Sequence, residues 1–291
     1  MRLPRRVVRA VVLAGSRPLG PPVPLAVQRA WVDAQAALSP LPAGTQVEAG
    51  TLGGRPAERV TAPGTDASRA VLLLHGGAFV TGSPRSHRRL AADLAAAVGC
   101  PVHVLDYRLA PEHPHPAAVD DADAALDELQ RDRTVAVAGD SAGGALALLL
   151  AVRRRDTGRP APVALGLVSP VADLTGASSG AYDGPDPVLR QAWLRGGAEA
   201  FVGGGDAHGL SPLHLPLHDL PPVAMQVASD ERLRPEGEQL AARLRAAGVD
   251  VDLEPLPGLW HDVHLQGGLL AEGAAASARL GRRLRTHLDA A

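Results

Sequence analysis

A serine flanked by glycines is the first feature of this sequence that could carry out chemistry. Residues Gly139–Gly143 are Gly-Asp-Ser-Ala-Gly, placed directly after an apolar run of strand length and directly before a helical pattern. A G-x-S-x-G pattern in that context predicts a nucleophile elbow, a sharp turn that exposes the serine hydroxyl at the end of a strand. The pentapeptide alone would also fit a tight turn with an unreactive serine. The flanking strand and helix favour Ser141 as a nucleophile for acyl transfer.

A second glycine-rich segment follows another apolar run. Residues His75–Phe79 are His-Gly-Gly-Ala-Phe. Acyl transfer places negative charge on a carbonyl oxygen, and N–H donors aimed at that oxygen stabilise it. Two glycines let the backbone come close, so the N–H groups of Gly76 and Gly77 are candidate donors, with that of Ala142 as a third at a helix start. Alone, this segment could be a simple strand-to-loop turn, but beside the elbow it predicts an oxyanion hole.

A serine of ordinary pKa needs a base, and the base needs an orienting acid. Where such an elbow occurs, the chain order is serine, acid, histidine. The acid is expected after the apolar run 223–227, which leaves Asp230 and Glu231 as candidates. The histidine is expected after the last apolar run, which favours His261, with His264 as its competitor.

Composition excludes several other classes of protein. The 291 residues carry a net charge of −2, which gives no reason to expect nucleic acid as a partner. Cys100 is the only cysteine, so neither a disulfide framework nor a cysteine-based zinc site can form. The pairs His113/His115 and His261/His264 lack a recognised metal-ligand spacing, and no metal site is predicted.

The elements that must position these residues alternate along the chain. Strand-length apolar runs occur at 47–52, 57–61, 70–74, 102–106, 135–139, 163–168, 223–227 and 251–256. Helical patterns separate most of them, which predicts a mostly parallel eight-stranded sheet flanked by helices, with right-handed crossovers. The first two runs are expected to form an antiparallel hairpin at the sheet edge, turning at Gly53 and Gly54.

Two regions depart from this alternation. Residues 1–45 are helical and rich in proline, and residues 173–215 are rich in glycine and aspartate with one helical stretch. Ligands bind at the carboxyl edge of open α/β sheets, so both regions are expected to form a small helical cap over that edge. The organisation predicted is an N-terminal cap segment, 1–45, and a catalytic domain, 46–291, with the cap insertion at about 173–215.

The N-terminus has arginines ahead of a valine-rich run, as a short signal peptide would. Arg9 interrupts that run, and no A-x-A cleavage site follows. No stretch reaches the roughly 18–20 apolar residues of a membrane span. An amphipathic helix is therefore expected here, in a cytoplasmic protein with no stable membrane insertion.

Four ordered motifs give the chain a resemblance to a known family. They lie at 75–78, 106–114, 139–144 and 257–261. In them the chain resembles the hormone-sensitive-lipase-like esterases of the α/β-hydrolase fold. The resemblance implies hydrolysis of carboxylic esters, usually of short or medium acyl chains, with no metal or organic cofactor. It assigns Ser141 as nucleophile, His261 as base, and Gly76, Gly77 and Ala142 as oxyanion donors.

The same resemblance bears on the acid. Many relatives have Asp-Pro-Leu where this chain has Glu231-Arg232-Leu233. Placing Leu233 on the leucine of that motif puts Glu231 on the acid, and one branch of the family looks similar there, so Glu231 is favoured over Asp230. Ala78 stands in place of a third glycine, and Arg234–Glu236 in place of an acidic pair.

The walls of the site are predicted from composition. Aromatic residues make up only 2% of the chain, so a pocket of leucine, valine and alanine is expected, suited to aliphatic or alicyclic groups. The wall residues predicted are Val80, Trp31, Leu189, Trp193 and Val263. Asp106 and Glu112 are expected to belong to a buried polar network under the site.

Other interpretations use the same residues. A lactone or an aryl formamide could replace the ester on the same machinery. A non-catalytic small-molecule receptor on a hydrolase fold is an alternative from a different class, although the retained serine, acid and histidine disfavour it. The resemblance also implies a homodimer formed through the last strand and helix.

Overall fold

The computed structural model describes residues 2–180 and 182–291 and contains one eight-stranded sheet. The strands are β1 (Gln46–Leu52), β2 (Arg55–Thr61), β3 (Arg69–Leu74), β4 (Val102–Leu105), β5 (Thr134–Asp140), β6 (Leu165–Val168), β7 (Val223–Asp230) and β8 (Val251–Trp260). Their order across the sheet is β1-β2-β4-β3-β5-β6-β7-β8. Strands β3 to β8 pair in parallel, whereas β1 and β2 form the antiparallel edge. The predicted mostly parallel sheet with an edge hairpin is therefore confirmed.

Helices cover both faces of the sheet and the carboxyl ends of its strands. They are α1 (Arg5–Ser16), α2 (Leu25–Gln35), α3 (Pro84–Val98), α4 (Ala117–Gln130), α5 (Ala142–Asp156), α6 (Ala177–Gly180), α7 (Gln191–Val202), α8 (Ala207–Leu210), α9 (Arg234–Ala246) and α10 (Ala271–Ala290). Short 3-10 turns occupy Ala36–Leu38, Pro212–His214 and Val263–Gln266.

The centre of the sheet is apolar on both faces because helices pack on both sides. Side chains of β3 and β5 alternate between two clusters, one shared with α4, α5 and α9 and the other with α3 and α10. Each fully buried leucine or valine contributes about 1.5–3 kcal/mol through removal of apolar surface from water. This core makes the carboxyl ends of the strands a rigid platform for the polar residues above it.

The last two strands are longer than their apolar runs. A register irregularity between Ala228 and Asp230 lets Asp230 pair with Trp260, so β7 and β8 both extend toward the same edge. The extension carries Glu231 and His261 out of the apolar core to the level of Ser141.

The N-terminal helices attach to the carboxyl edge of the sheet. Val8 of α1 is fully buried in a small apolar cluster with Leu256 and Trp260. The Ser16 hydroxyl donates a hydrogen bond to the carbonyl of Pro187 (2.7 Å), which lies ahead of α7. Residues 1–45 and 173–215 therefore touch each other. Within the described residues, no helix is both long and apolar enough to span a bilayer.

Candidate active site

Ser141 lies at the tip of a strained turn between β5 and α5. Its backbone adopts φ 52° and ψ −117°, a combination rarely found outside glycine. Two hydrogen bonds hold it there, from Ser141 N to the Val168 carbonyl (2.8 Å) and from Val171 N to the Ser141 carbonyl (3.0 Å). Gly143 permits the close crossing, because a Cβ at this position would overlap the Leu74 carbonyl. This turn places the Ser141 side chain at the carboxyl end of β5.

His261 lies between this serine and a buried carboxylate. Its Nε2 is 3.0 Å from Ser141 Oγ, and its Nδ1 is 2.9 Å from Glu231 Oε2. Glu231 is fully buried, and its other oxygen accepts the N–H of Ala228 (2.9 Å). The carboxylate is thus fixed by backbone as well as by the imidazole.

The two alternative residues point elsewhere. Asp230 accepts hydrogen bonds from Arg9 (3.0 Å) and the Ser229 hydroxyl (2.8 Å). His264 lies 2.7 Å from the Gln226 amide oxygen through its Nε2. Of the residues left open by the sequence, Glu231 and His261 are those that the structure brings to Ser141.

The glycine-rich loop requires one correction. The N–H of Gly76, expected to face an oxyanion, is already engaged, because it lies 3.1 Å from Asp140 Oδ2 and 3.2 Å from His87 Nε2. In the described part of the chain no acceptor is found for the N–H of Gly77 or of Ala78. Ala142 begins α5, and the first N–H groups of a helix have no acceptor within it. The free donors near the serine are therefore those of Gly77, Ala78 and Ala142.

The polar layer beneath the site is also different from expectation. Glu112 is half-exposed and pairs with Arg29 (2.7 Å) instead of joining a buried network. Asp106 is only partly buried, and the hydrogen bonds from Arg55 reach its backbone carbonyl rather than its carboxylate. Under the loop, the Tyr107 hydroxyl donates to the His75 carbonyl (2.6 Å), and the two rings stack. Of the motif at 106–114, Tyr107 therefore lies under the loop, whereas Asp106 and Glu112 do not form a buried network there.

Two residues of the site were missed by the sequence analysis. His87, on α3, lies 3.0 Å from Asp140 Oδ2 and so fixes the carboxylate that engages Gly76. Asp262 lies with its Oδ2 3.0 Å from His261 Nε2. His87 lies outside every motif singled out, so no sequence signal indicated it. Asp262 directly follows His261, and that adjacency was the only available signal.

Burial and charge shift the pKa values of these groups in opposite directions. Burial alone would lower the pKa of His261, but Asp262 and Glu231 outweigh it and raise the pKa well above its ordinary value. Burial raises the pKa of Asp262 to about 6 against the opposing pull of His261. Burial would raise the pKa of Asp140 as well, yet His87 lowers it overall. Asp262 and Glu231 together therefore favour the protonated form of the His261 imidazole.

Comparison with known proteins agrees with this geometry. A family model described as the alpha/beta hydrolase fold matches residues 71–265, about two thirds of the chain. A solved esterase of the bacterial hormone-sensitive lipase family superposes with a TM-score of 0.91 at 34% identity, covering 97% of each chain. The chain belongs to the hormone-sensitive-lipase-like esterases of the α/β-hydrolase family.

Two curated relatives of this esterase share much of its length. An acetyl-hydrolase of Streptomyces hygroscopicus is 40% identical over 232 residues, which is 77% of this chain and 78% of the relative. Esterase LipU of Mycobacterium tuberculosis is 34% identical over 301 residues, covering 96% and 98% of the two chains.

A cavity of about 340 Å³ opens over the serine of this esterase. Ser141, His261, Asp262 and the loop glycines form its polar end. The apolar walls come mainly from the N-terminal helices and the segment around α7, namely Val8, Val11, Val12, Leu19, Leu38, Leu41, Val188, Trp193 and Leu269. The arrangement suits a small molecule with an acyl group at one end and apolar groups around it.

Of the five predicted wall residues, one lines this cavity and four do not. Trp193 lines it. Val80 and Leu189 point into the main core, and Val263 packs in the small cluster around Trp260. Trp31 is on α2, where its indole N–H donates to the Gly15 carbonyl (2.7 Å). The side chains of these four residues therefore contact other parts of the protein rather than the cavity. Among the described residues, no group of three potential metal ligands is found.

Proposed function

We propose that this esterase hydrolyses carboxylic esters of short to medium acyl chains through an acyl-enzyme formed on Ser141. The observation that carries the proposal is the continuous contact from Ser141 Oγ through both nitrogens of His261 to Glu231, at 3.0 and 2.9 Å. A nucleophile, a base and an orienting acid in that order are what acyl transfer requires.

The reaction follows from these contacts. The ester carbon lies beside Ser141 Oγ, with the carbonyl oxygen toward the N–H groups of Gly77 and Ala142. Nε2 of His261 takes the serine proton as Oγ bonds to the carbon, and Glu231 accepts the hydrogen bond from Nδ1 of the imidazolium. The tetrahedral intermediate collapses, and the alcohol leaves with the proton from Nε2. Water then repeats the same steps on the acyl-enzyme and releases the acid.

The substrate class rests on the cavity and on a relative. A volume of about 340 Å³ is near the lower end of ligand pockets, which span about 300–1,000 Å³. The apolar part of the walls is aliphatic apart from Trp193, and polar side chains that include Gln35, Arg85, Arg88, Arg89 and Gln266 complete the lining. One relative is named an acetyl-hydrolase. Together these support short, apolar acyl esters over long-chain lipids.

Residues 1–45 and 173–215 are proposed to be the cap that shapes this substrate site. Side chains from α1, the turn after α2, and the segment ahead of α7 line the cavity. The Arg190 guanidinium donates to the carbonyl of Arg17 (2.7 Å), which ties the two segments together. The hydrolase domain, 46–291, would then supply the polar end of the site and the cap its walls.

A homodimer through β8 and α10 is a further proposal. Strand β8 ends the sheet on the side opposite β1, so its outer edge is unpaired among the described strands. An open strand edge is a template for pairing with a second copy. Light scattering on the purified chain at two concentrations distinguishes a dimer from a monomer.

The test uses p-nitrophenyl esters from acetate to laurate with the wild type and Ser141→Ala. The wild type is expected to turn over acetate and butyrate fastest, and the variant to lose on the order of 10⁴–10⁶ in kcat. Turnover that survives in Ser141→Ala would refute the acyl-enzyme. Turnover of lactones or aryl formamides without esters would refute the substrate class. Binding without turnover of any of them would favour the receptor interpretation.

A further inference from the structure

Two oxygen atoms face the same nitrogen of His261. Ser141 Oγ and Asp262 Oδ2 each lie 3.0 Å from Nε2. The proposed reaction uses Nε2 only to take and return a proton, and it assigns no role to Asp262. A second carboxylate at this nitrogen therefore needs its own explanation.

The protonation states at Nε2 limit what Asp262 can do. An ionised carboxylate only accepts hydrogen bonds, and a neutral imidazole with its proton on Nδ1 presents a lone pair at Nε2. Two acceptors at 3.0 Å repel each other unless a proton lies between them. That proton is on Nε2 as imidazolium, or on Asp262 as a carboxylic acid that donates to Nε2. In both forms Nε2 is unable to accept the proton of Ser141.

The backbone holds Asp262 at this place. Its φ of 50° and ψ of 37° lie in the left-handed region, which aspartate, asparagine and glycine tolerate better than other residues. The residue is 8% exposed, so water competes weakly for its carboxylate. Its Oδ1 has no hydrogen-bond partner among residues 2–180 and 182–291. Its ion pair with His261 is thus the short-range contact of this carboxylate among those residues.

The other charged groups around the pair come from three further elements. Asp140 faces it from the end of β5, and Glu231 from the turn after β7. His87 faces it from α3 and is itself paired with Asp140. On the turn that Asp262 begins, His264 is buried, and burial lowers its pKa to about 4, so it adds no charge near neutrality. Negative groups outnumber positive ones, which favours a proton retained between Asp262 and His261.

We propose that Asp262 is a positioning residue that retains a proton against Nε2 of His261, so that the esterase reaches its reactive state only when rising pH removes that proton. The inference rests on the proposed roles of Ser141 and His261. It predicts that removing the Asp262 carboxylate lets the enzyme work at lower pH, whereas loss of an ordinary structural contact would lower the rate at every pH.

The experiment follows serine reactivity in Asp262→Asn and Asp262→Gly, because both residues tolerate the left-handed backbone. Asp219 provides a matched control. It also has a positive φ, 54°, but it is exposed and precedes β7 at the opposite edge of the sheet. Asp219→Asn and Asp219→Gly repeat the same changes of charge and backbone there.

Two rates are measured between about pH 5 and 10, where a shifted histidine titrates. One is kcat/KM for p-nitrophenyl acetate. The other is inactivation by diisopropyl fluorophosphate, in which Ser141 Oγ bonds to phosphorus, fluoride leaves and His261 takes the serine proton. Both Asp262 variants are expected to move the acid limb of both profiles down by about 1–3 pH units, as loss of an adjacent carboxylate does. The Asp219 variants are expected to match the wild type.

An acid limb that stays in place, or that moves up, in the Asp262 variants overturns the inference. Titration of ¹⁵N-labelled histidines by NMR in the folded wild type tests it without a variant of Asp262, with His261→Asn used to assign the signal. His261 titrating at or below the ordinary histidine pKa also overturns it. If the wild type reacts with neither p-nitrophenyl acetate nor diisopropyl fluorophosphate, the proposed function is refuted instead. The NMR titration of His261 then still decides the role of Asp262.

Discussion

Two adjacent carboxylates at the end of β7, Asp230 and Glu231, have similar chemistry but different surroundings. Glu231 is fully buried against His261 Nδ1, whereas Asp230 is partly exposed and pairs with Arg9. A buried carboxylate at Nδ1 fixes the tautomer that leaves Nε2 free to act as base. An exposed ion pair contributes only about 0–1 kcal/mol. We therefore expect only Glu231 to matter strongly for the rate.

Replacement of each acid by its amide tests this expectation. Glu231→Gln is expected to lower kcat by about 10⁴, because a neutral amide neither stabilises the imidazolium nor enforces the tautomer. Asp230→Asn is the matched control and is expected to retain near-wild-type kcat on p-nitrophenyl butyrate. The opposite pattern, with activity lost in Asp230→Asn and kept in Glu231→Gln, would transfer the acid's role to Asp230.

At the scale of single residues, local patterns predicted some positions of the site and not others. Ser141 follows from a motif that is visible along the sequence. Chain order and strand ends left Asp230 open beside Glu231, and the resemblance to a known family favoured Glu231. The engaged N–H of Gly76 depends on Asp140 and His87, which lie 64 and 11 residues away from it. Such contacts are decided by packing of α3 against the loop, and no local pattern specifies them. The four predicted wall residues whose side chains contact other neighbours illustrate the same limit.

At the scale of elements, α9 is attached to the site through a buried acid in its first turn. Glu236 is fully buried and accepts the N–H of Ala172 through Oε1 (2.8 Å). Residues Arg234–Glu236, which stand in place of an acidic pair of the relatives, form the start of this helix. Burial raises the pKa of Glu236 from 4.5 to about 8. The carboxyl is thus neutral in the folded protein at neutral pH.

This shift makes stability depend on pH in a definite direction. The unfolded chain releases the Glu236 proton near pH 4.5 and the folded one near pH 8, so folding stability is lost as pH rises between these values. Glu236→Gln keeps an acceptor for Ala172 and removes the titration. We expect the free energy of unfolding, measured by urea denaturation, to fall less between about pH 5 and 8 in Glu236→Gln than in the wild type.

Glu238, two residues along α9, is half-exposed and serves as control. Glu238→Gln is expected to follow the wild-type dependence on pH. If Glu236→Gln showed the wild-type dependence of unfolding free energy on pH, the Glu236 carboxyl would be ionised in the folded protein. A different interaction would then have to offset the cost of burying that charge.

The strands themselves were largely predictable because the centre of the sheet is buried on both faces. Continuous apolar runs of four to eight residues are typical of such strands. The extra length of β7 and β8 was not visible, because residues 229–230 and 257–260 include polar residues, proline and glycine. Cross-strand pairing of Asp230 with Trp260 overrides their local preference. This extension positions both the acid and the base.

At the scale of the whole molecule, helix α1 contributes both to the cavity wall and to the packing around Trp260, the residue that precedes His261. Val8 is fully buried against Trp260, and Val8 also lines the cavity. Val7, its neighbour in α1, is 40% exposed. The sequence indicated an amphipathic helix here, but the face that contacts the site depends on how α1 docks, which no periodicity specifies.

Val8→Ala and Val7→Ala therefore remove the same two methyl groups from a buried and from an exposed position of one helix. Loss of the buried pair costs about 1–2 kcal/mol of packing between α1 and the sheet edge. This loss loosens a cavity wall, while Ser141, His261 and Glu231 are held by β5, β7 and β8. Val8→Ala is accordingly expected to raise KM for p-nitrophenyl butyrate several-fold with little change in kcat, and to speed amide hydrogen exchange in α1. Val7→Ala is expected to change neither quantity. Equal effects of the two substitutions, or a fall in kcat without a change in KM, would contradict a substrate-shaping role for α1 and place its contribution in the positioning of His261.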